Sequence, residues 1–282
     1  MAAGRPWLDA VLVNDEMDLL EYRIRLLAPV FSAFLVFESD LTFSGDAKPL
    51  HAKAARDRMV AALGRRRRQN ISVVTVELTD AQRASPSPWV REVGQRQFIG
   101  RWIRERYPNH NVHLSDCDEL PDGEQLLATA DLSKYDCYKC RLRSYYYGEH
   151  CPRKPTATNL VFRTDSKFLA HTLASGYQLR SLKDGDPNYP RACPWLPSFV
   201  GWHFSYAMPT SQILHKVQSF SHYNDSFARD LLANPNAAEV IDERVRRCDD
   251  IFGRARYPGH REGKAFDGKL PWLPGWPKHP LA

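Results

Sequence analysis

The sequence predicts an α/β fold in which a central, mixed but mostly parallel sheet is flanked by helices. Two observations support this prediction. Over residues 8–130, short apolar runs of strand length alternate with segments whose apolar residues recur at helical spacing. From residue 131 onward, longer apolar runs follow one another, which predicts an antiparallel extension of the same sheet.

The first half of the chain supplies four strands in this prediction. A buried strand over 8–13 leads at once into a helix over 15–27, whose apolar residues recur at i, i+3, i+7 and i+10. Further strands are predicted over 33–38, 71–78 and 112–116, and helices over 52–63 and 90–106. Strands that alternate with helices are typical of parallel pairs joined by crossover connections.

The second half has a different pattern. Its predicted elements are a short helix over 122–130, strands over 136–147, 158–163 and 199–206, and helices over 209–220 and 237–252. The tail from Gly253 is rich in Pro, Gly and Trp, so we expect it to wrap around the domain as loop. No repeat or linker divides the chain, and we predict a single domain over residues 1–282.

Composition restricts the class of protein. The chain has 282 residues, of which 43% are hydrophobic, so it can bury a core and is neither disordered nor fibrous. No run approaches the roughly 20 apolar residues that span a bilayer. The start, Met1 to Asp9, lacks the pattern of a leader. We therefore expect a soluble, cytoplasmic chain without a membrane span.

The net charge of +6 and the pI near 9.0 suit an anionic ligand. Much of the excess lies in Arg65 to Arg68, for which we predict a solvated loop. A nucleic-acid contact is the alternative for this run, but no aromatic residues are interleaved with it. We therefore expect no nucleic-acid partner.

Six cysteines, at 117, 137, 140, 151, 193 and 248, show no regular framework, so we expect reduced thiols. Cys137 and Cys140 have the spacing of half a zinc site, but no second pair follows them. In a strand, these two thiols would face opposite sides. Metal binding at this pair is therefore not expected.

The most informative motif is the acidic run that ends the strand over 112–116. Asp116 and Asp118 stand at i and i+2, and in an extended chain this spacing places both side chains on one face. Together they offer oxygen ligands to one divalent cation. Such a cation neutralises the charge that develops on a departing diphosphate, so the motif indicates nucleotide-sugar chemistry. The alternative is a turn capped by carboxylates.

Other polar residues fall at the ends of predicted strands. Ligands of open α/β sheets bind beyond the carboxyl ends of the strands. Asn14 to Glu16, Glu38 to Ser39 and Asp116 to Glu119 all lie at such ends. We therefore predict that they are neighbours, with helix capping as the alternative role for Asn14.

Several segments, in order along the chain, resemble glycosyltransferase family 17. They extend over about residues 10–275. The matching segments are Val13 to Glu21, Glu38 to Gly45 with Lys48 to Leu50, Glu92 with Gln95 and Arg96, Ser115 to Pro121, Gly201 to Tyr206, Lys216 with Ser219 to His222, and Asp267 with Gly268 near Leu273 and Pro274.

The resemblance implies a GT-A type nucleotide-diphospho-sugar transferase fold and a metal-dependent transfer with inversion at the anomeric carbon. It implies a UDP-sugar donor, UDP-N-acetylglucosamine above all, a glycan acceptor, and Mn²⁺ or Mg²⁺ as cofactor. The nucleotide-binding half would extend over about residues 8–130. The acceptor-side half, with its wrapping tail, would extend over about residues 131–282.

The chain departs from the family in two respects. Members of the secretory pathway carry an amino-terminal anchor and stem, so we expect a Golgi lumen location only if an anchor is missing from this chain. An acidic residue often stands two places after the histidine that matches His222. Here Asn224 occupies that place and Asp225 follows it.

The resemblance indicates four candidate metal ligands. Asp116 and Asp118 form the metal and diphosphate pair, with Asp118 the direct ligand and Asp116 acting through water or the ribose. His203 or His222 would add an imidazole, which suits Mn²⁺. The polar surroundings of His222 favour it over His203. For either histidine, the alternative is a core residue bonded to a carbonyl.

The remaining predicted contacts are to the nucleotide. Asn14, Glu16 and Glu38 would meet uracil and ribose. Arg96 and Lys216 would hold phosphate, Arg through bidentate bonds and Lys as a point charge, with an exposed helix face as the alternative for each.

An inverting transfer needs a base for the acceptor hydroxyl, and the sequence leaves its identity open. Asp225 and Asp267 lie in late loops, and Glu119 is a third candidate. For Glu119 the alternative is to cap a helix that starts near Pro121. The tryptophans that could stack on sugar rings, or pack in loops, are Trp195, Trp202, Trp272 and Trp276.

Two other classes of function stay open at this point. A nucleotidyltransferase also uses carboxylates on such a sheet, but it usually has a glycine-rich phosphate loop after the first strand, and residues 13–16 contain no glycine. A non-catalytic glycan or nucleic-acid binding protein would use Arg65 to Arg68 as its contact.

Overall fold

Nine strands and ten helices make up the part of the chain that the structure describes. It is a computed structural model that describes residues 5–63, 70–148, 150–156, 159–176 and 193–254. The strands are β1 (Trp7–Val13), β2 (Ala33–Glu38), β3 (Asn70–Thr75), β4 (Asn111–Asp116), β5 (Glu119–Pro121), β6 (Cys137–Tyr146), β7 (Pro152–Thr156), β8 (Leu160–Arg163) and β9 (Trp195–Ser205). The helices are α1 (Met17–Leu27), α2 (His51–Ala54), α3 (Arg56–Ala62), α4 (Asp80–Arg83), α5 (Pro88–Arg106), α6 (Gly123–Thr129), α7 (Lys167–Ser175), α8 (Thr210–Ser219), α9 (Ser226–Leu232) and α10 (Ala237–Arg246).

The amino-terminal strands form the parallel part of the sheet, in the order β3-β2-β1-β4. Both faces of these strands are covered, because Leu8 and Ala10 of β1 join one hydrophobic cluster and Val11 and Val13 join another. Strands buried on both faces are rich in apolar residues, and short apolar segments in each of them are why the sequence located these strands. Their carboxyl ends meet at one edge of the sheet, as expected.

The rest of the sheet is mixed. β8 runs antiparallel to β4, β6 antiparallel to β8, β9 parallel to β6, and β5 antiparallel to β9, while β7 pairs antiparallel with β6. Parallel and antiparallel pairings of the described strands are thus equally frequent, and the expectation of a mostly parallel sheet is wrong. The predicted antiparallel extension is confirmed for β6 and β8, whereas β9 runs parallel to β6 and antiparallel only to the short strand β5.

The direction of β9 matters for the site. Since β9 runs parallel to β6, and β6 runs in the direction of β4, the carboxyl end of β9 lies at the same edge as Asp116. Pairing between strands that are far apart in sequence depends on tertiary packing, which local periodicity does not report.

Several element boundaries differ from the prediction. The helix expected over 52–63 is divided into α2 and α3, and the helix expected over 237–252 ends at Arg246. The short elements β5, β7, α4, α7 and α9 were not predicted. Arg65 to Arg68 and the tail from residue 255, which includes Asp267, Trp272 and Trp276, lie outside the described residues.

Four of the six cysteines form disulfides, so the expectation of reduced thiols is wrong for them. Cys137 bonds to Cys193 and Cys151 to Cys248, across sequence separations of 56 and 97 residues. Such distant partners show no spacing signal in the sequence. Cys140 is free and buried. It lies in the cluster on the opposite face of the sheet from Cys137, as the strand geometry predicted.

The described helices include none that combines the length and the apolar composition needed to cross a bilayer.

Candidate active site

A cavity of about 670 Å³ opens at the shared carboxyl edge of β1, β2 and β4. Eight predicted site residues line it, which are Asn14, Glu16, Arg96, Asp116, Asp118, His203, Lys216 and His222. This volume falls within the range of pockets that hold small molecules. The structure therefore brings most of the predicted site together.

The turn between β4 and β5 places the acidic pair at the cavity. β4 ends at Asp116, and β5 begins three residues later and pairs antiparallel with β9, so that Glu119 lies beside His203. The backbone amide of Phe204 also donates to the carbonyl of Asp118 at 2.9 Å. This pairing carries His203 to the acidic pair.

Asp118 is almost completely buried and has a cationic partner. Nζ of Lys216 donates to its Oδ2 at 2.8 Å, and Nε2 of His203 lies 3.6 Å from its Oδ1. Burial alone would raise the pKa of Asp118, but the charges of Lys216 and His203 outweigh burial and hold the pKa well below its usual range. The same pairing raises the pKa of Lys216 against the effect of its burial. Both groups are therefore charged at neutral pH.

Asp116 is held by a second basic side chain. Nη1 and Nη2 of Arg96 each donate to its Oδ1 at 3.1 Å. Nε of Arg96 donates to Glu92 at 3.1 Å, and the other carboxylate oxygen of Glu92 accepts from the hydroxyl of Ser221. Arg96 thus joins the acidic motif to the segment that leads to His222.

His222, a predicted metal ligand, pairs with a carboxylate outside the acidic motif. Its Nδ1 lies 2.7 Å from Oδ2 of Asp225, and its ring is in edge contact with Trp89 at 4.8 Å between ring centroids. In the structure, His203 lies beside Asp118, whereas His222 lies beside Asp225. The preference for His222 as the metal ligand therefore finds no support in this geometry.

Asn14, Glu16 and Lys48 form the part of the cavity beside β1 and β2. The backbone amide of Asn14 donates to Oε2 of Glu16 at 2.9 Å, and Nζ of Lys48 donates to the backbone carbonyl of Asn14 at 2.9 Å. The side chain of Asn14 reaches Oγ of Ser219 at 3.4 Å, so it contacts α8 rather than capping α1. Burial lowers the pKa of Lys48, and neighbouring acids such as Glu38 and Glu16 oppose this effect.

Glu38 does not line the cavity. It is completely buried, and its two oxygens accept the backbone amides of Ala52 at 2.9 Å and Lys53 at 2.6 Å. This carboxylate therefore satisfies the amides that begin α2. The predicted contact of Glu38 with a nucleotide has no support in this arrangement.

Glu119 is also buried and lies outside the lining. Its Oε2 accepts the backbone amide of Asp116 at 2.9 Å. It does not cap a helix: it lies in β5, and Asp122 caps α6 by accepting the amide of Gln125 at 3.1 Å. Burial raises the pKa of Glu119, and Asp118 raises it further. Glu119 therefore braces the acidic turn from behind.

Asp225 lies next to the cavity but not among its lining residues, and it reaches the site through His222. Asp267 falls outside the described residues, so its role stays a prediction. Of the predicted tryptophans, Trp202 is buried in the core, and Trp195 is exposed away from the cavity.

Sequence reasoning missed the aromatic end of the cavity. Its members are Trp89, Phe220, Phe227 and Phe252, with Arg254 over the rings of Phe227 and Phe252. Trp89 follows Pro88 at the start of α5, and that pattern predicts only a helix start. Nothing in the local pattern indicates a cavity there.

A divalent ion fits part of the predicted ligand set. Oδ1 of Asp118 and Nε2 of His203 lie 3.6 Å apart, a separation that lets both atoms ligate one ion. Nε2 is also 3.0 Å from the hydroxyl of Ser205, so its lone pair is open to an ion when that hydroxyl directs its hydrogen elsewhere. Two protein ligands suffice for an ion that also binds substrate phosphates.

A second group of possible ligands lies elsewhere. In the described part of the chain, His150, Cys151 and Cys248 place ligand atoms within 4.8 Å of one another. Cys151 and Cys248 are joined by a disulfide, so neither offers a thiolate. We therefore assign no metal site to this group.

Comparison with known proteins defines the class of this protein. The sequence model of a family of sugar-transferring enzymes matches residues 2–172, which is more than half of the chain, so the protein is a glycosyltransferase. The chain belongs to glycosyltransferase family 17. No significant match was found among curated proteins. His203, Lys216 and His222 follow the matched range, so their assignment depends on the geometry above.

Proposed function

We propose that this glycosyltransferase moves N-acetylglucosamine, or a related hexose, from a UDP-sugar to a glycan hydroxyl with inversion, and that it uses Mn²⁺ or Mg²⁺. The observation that carries the proposal is the position of Asp116 and Asp118, which lie with basic partners in a cavity of about 670 Å³. The parallel order β3-β2-β1-β4, with the acidic motif at the end of β4, supports a fold of the GT-A type.

The basic residues of the cavity suit a diphosphate. Lys216 keeps its ammonium charged next to Asp118, and Arg96 holds its guanidinium next to Asp116. Fixed positive charges beside the donor neutralise the negative charge that grows on the diphosphate as its bond to the sugar breaks. Lys48, with Asn14 and Glu16, would hold the nucleoside at the ends of β1 and β2.

Asp118 and His203 are the residues that would hold the metal ion. When bound, a divalent ion supplies Lewis-acid neutralisation of the leaving diphosphate. Asp116 would act beside it, through water or the ribose, because Arg96 already takes its Oδ1.

The decisive variant is Asp118→Asn, which keeps the shape of the side chain and removes its charge. We expect release of UDP from UDP-N-acetylglucosamine, at saturating Mn²⁺ and in the presence of a glycan acceptor, to fall by about 100-fold or more. The matched control is Asp131→Asn, since Asp131 is exposed and its carboxylate accepts hydrogen bonds from Ser133. Full turnover by Asp118→Asn would contradict the metal and diphosphate assignment.

Calorimetry with UDP separates this function from a non-catalytic binding role. We expect UDP to bind more tightly with Mn²⁺ than without it. If UDP does not bind under either condition, the nucleotide-sugar assignment is wrong. A screen of UDP-sugars against several glycan acceptors then identifies the donor and the acceptor.

A further inference from the structure

The aromatic end of the cavity has no role in binding the donor as described above. The ring of His222 lies among three aromatic side chains, with centroid distances of 4.8 Å to Trp89, 5.7 Å to Phe220 and 6.2 Å to Phe227. These rings line the same cavity as the acidic pair. A ligand that reaches them also faces the diphosphate end.

His222 and Asp225 form a hydrogen-bonded pair at this end. Oδ2 of Asp225 lies 2.7 Å from Nδ1 of His222, and the backbone amide of Asp225 donates to the carbonyl of His222 at 3.0 Å. Asp225 precedes α9 but does not use its side chain to cap that helix, so its carboxylate is committed to the imidazole. A carboxylate on Nδ1 fixes the ring orientation and leaves Nε2 as the basic nitrogen.

The other nitrogen of His222 is available. No described residue hydrogen-bonds Nε2, and the side chain is 48% exposed although it lines the cavity. Two charged residues that line the same cavity have partners of their own: Glu92 of α5 bonds Arg96 and Ser221, and Arg254 pairs with Asp250. Nε2 can therefore meet a ligand in the cavity.

Trp89 supplies an exposed aromatic surface at the rim. It is 42% exposed, unusual for so large an apolar side chain, and it lies in the first turn of α5 with its ring against His222. The C–H face of a pyranose is apolar and packs on an indole ring, while its hydroxyls stay free at the edges. A sugar stacked on Trp89 would thus bring a hydroxyl to the neighbouring imidazole.

We propose that Trp89 and the His222–Asp225 pair form the acceptor subsite, in which a pyranoside stacks on Trp89 and Nε2 of His222 is the general base. The inference rests on the proposed function and names its acceptor class and its base. The O–H bond of the acceptor breaks and its proton goes to Nε2. The oxygen forms a bond to the anomeric carbon, and the bond from that carbon to the diphosphate breaks, with its electron pair leaving on UDP. Asp225 stabilises the resulting imidazolium.

The chain provides a matched control for the base. His215 makes a similar pair with Asp15, at 2.8 Å between Nδ1 and Oδ2, and is also 48% exposed, but it does not line the cavity. We expect His222→Ala to lower kcat by about 100-fold or more, the usual effect of a lost general base, with His215→Ala unchanged. Added imidazole should restore part of the lost rate in His222→Ala only.

Two further variants test the remaining residues. Asp225→Asn should lower kcat and change the pH profile of kcat, because the imidazole loses the partner that orients it and stabilises its charge. Trp89→Ala should raise the KM of the acceptor about tenfold while the KM of the donor stays the same. The acceptor KM of Trp89→Phe should lie between those of wild type and Trp89→Ala.

The outcomes separate this inference from the proposed function. If His222→Ala keeps the wild-type kcat, or if it loses metal-dependent UDP binding, His222 is not the base. Either result leaves the proposed glycosyl transfer standing. An unchanged acceptor KM in Trp89→Ala overturns the stacking role. If the wild-type protein neither binds UDP nor transfers sugar, both proposals are wrong.

Discussion

Nη1 of Arg23 lies 2.6 Å from the backbone carbonyl oxygen of Glu119 and 3.3 Å from that of Asp116. A completely buried guanidinium on α1 thereby holds both ends of the turn that carries the acidic pair. Its remaining donors reach both oxygens of Asp9 at 2.7 Å and the hydroxyl of Ser115 at 2.6 Å. The site is therefore supported by a buried polar network directly beneath it.

Arg23→Met should destabilise the protein strongly. The substitution leaves the carboxylate of Asp9 buried with its main counter-charge removed, which typically costs about 3–5 kcal/mol. Urea unfolding followed by circular dichroism measures the change. Arg25→Met is the matched control, since Arg25 is on the same helix but exposed. Adding Asp9→Asn to Arg23→Met should recover part of the loss, and an Arg23→Met protein as stable as wild type would show that the network has no structural role.

Stability should fall in acid through Asp9. Burial would raise its pKa, but Arg23 and His113 lower it to about 2 in the folded protein, from 3.8 in an unperturbed chain. A folded pKa below the unfolded one stabilises the fold above the unfolded value, and the contribution is lost as the pH falls from about 4 towards 2. Burial lowers the pKa of His113 in the folded protein, so this histidine also makes the fold less stable as the pH falls. Urea midpoints between pH 6 and pH 2 should fall more steeply for wild type than for Asp9→Asn, and parallel curves would contradict this assignment.

Removal of divalent metal should abolish transfer, and the two histidines should respond differently. We expect EDTA to remove activity and Mn²⁺ to restore it. His203→Ala should raise the Mn²⁺ concentration needed for half-maximal activity by at least about tenfold, because His203 lies beside Asp118. His222→Ala should leave that concentration unchanged, and His215→Ala is the neutral control. Full activity in EDTA, or a metal requirement raised by His222→Ala alone, would contradict the two-ligand site.

The disulfides should be measurable and stabilising. Thiol titration of the oxidised protein in denaturant should find the two free cysteines, Cys117 and Cys140, and reduction should expose all six. Replacing Cys151 and Cys248 together by Ser should cost about 2–5 kcal/mol of unfolding free energy. Cys140→Ser is the control for the response to reductant, because Cys140 forms no disulfide. Six titratable thiols before reduction would show that the pairs do not form.

The parallel half of the sheet was predictable because its signals are local. β1 and β2 are mostly apolar and β4 contains the apolar residues Val112 and Leu114, and in a parallel sheet all carboxyl ends lie at one edge. This was enough to place Asp116 and Asp118 at a site with Asn14 and Glu16. The same reasoning misplaced Glu38, because the sequence does not show that the amides of α2 take up its oxygens.

The late part of the site was less predictable, since its contacts join segments distant in sequence. Lys216 pairs with Asp118 across 98 residues, and His203 reaches the same carboxylate through the pairing of β5 with β9. Trp89 reaches His222 from the start of α5. None of these contacts leaves a periodic pattern or a short spacing that can be recognised before folding.

By itself, the sequence determined the α/β class, the parallel strands and the acidic motif at the end of β4, because hydrophobic periodicity is a property of neighbouring residues. The expectation that strand alternation places Asp116 and Asp118 on one face is wrong, since Asp118 lies in the turn between β4 and β5. Only the tertiary structure decided which basic side chain meets each carboxylate, which histidine lies beside Asp118, and which cysteines join. These outcomes depend on the direction of β9 and on the packing of α5 and α8 around the cavity, and such long-range pairings form only when the whole sheet is assembled.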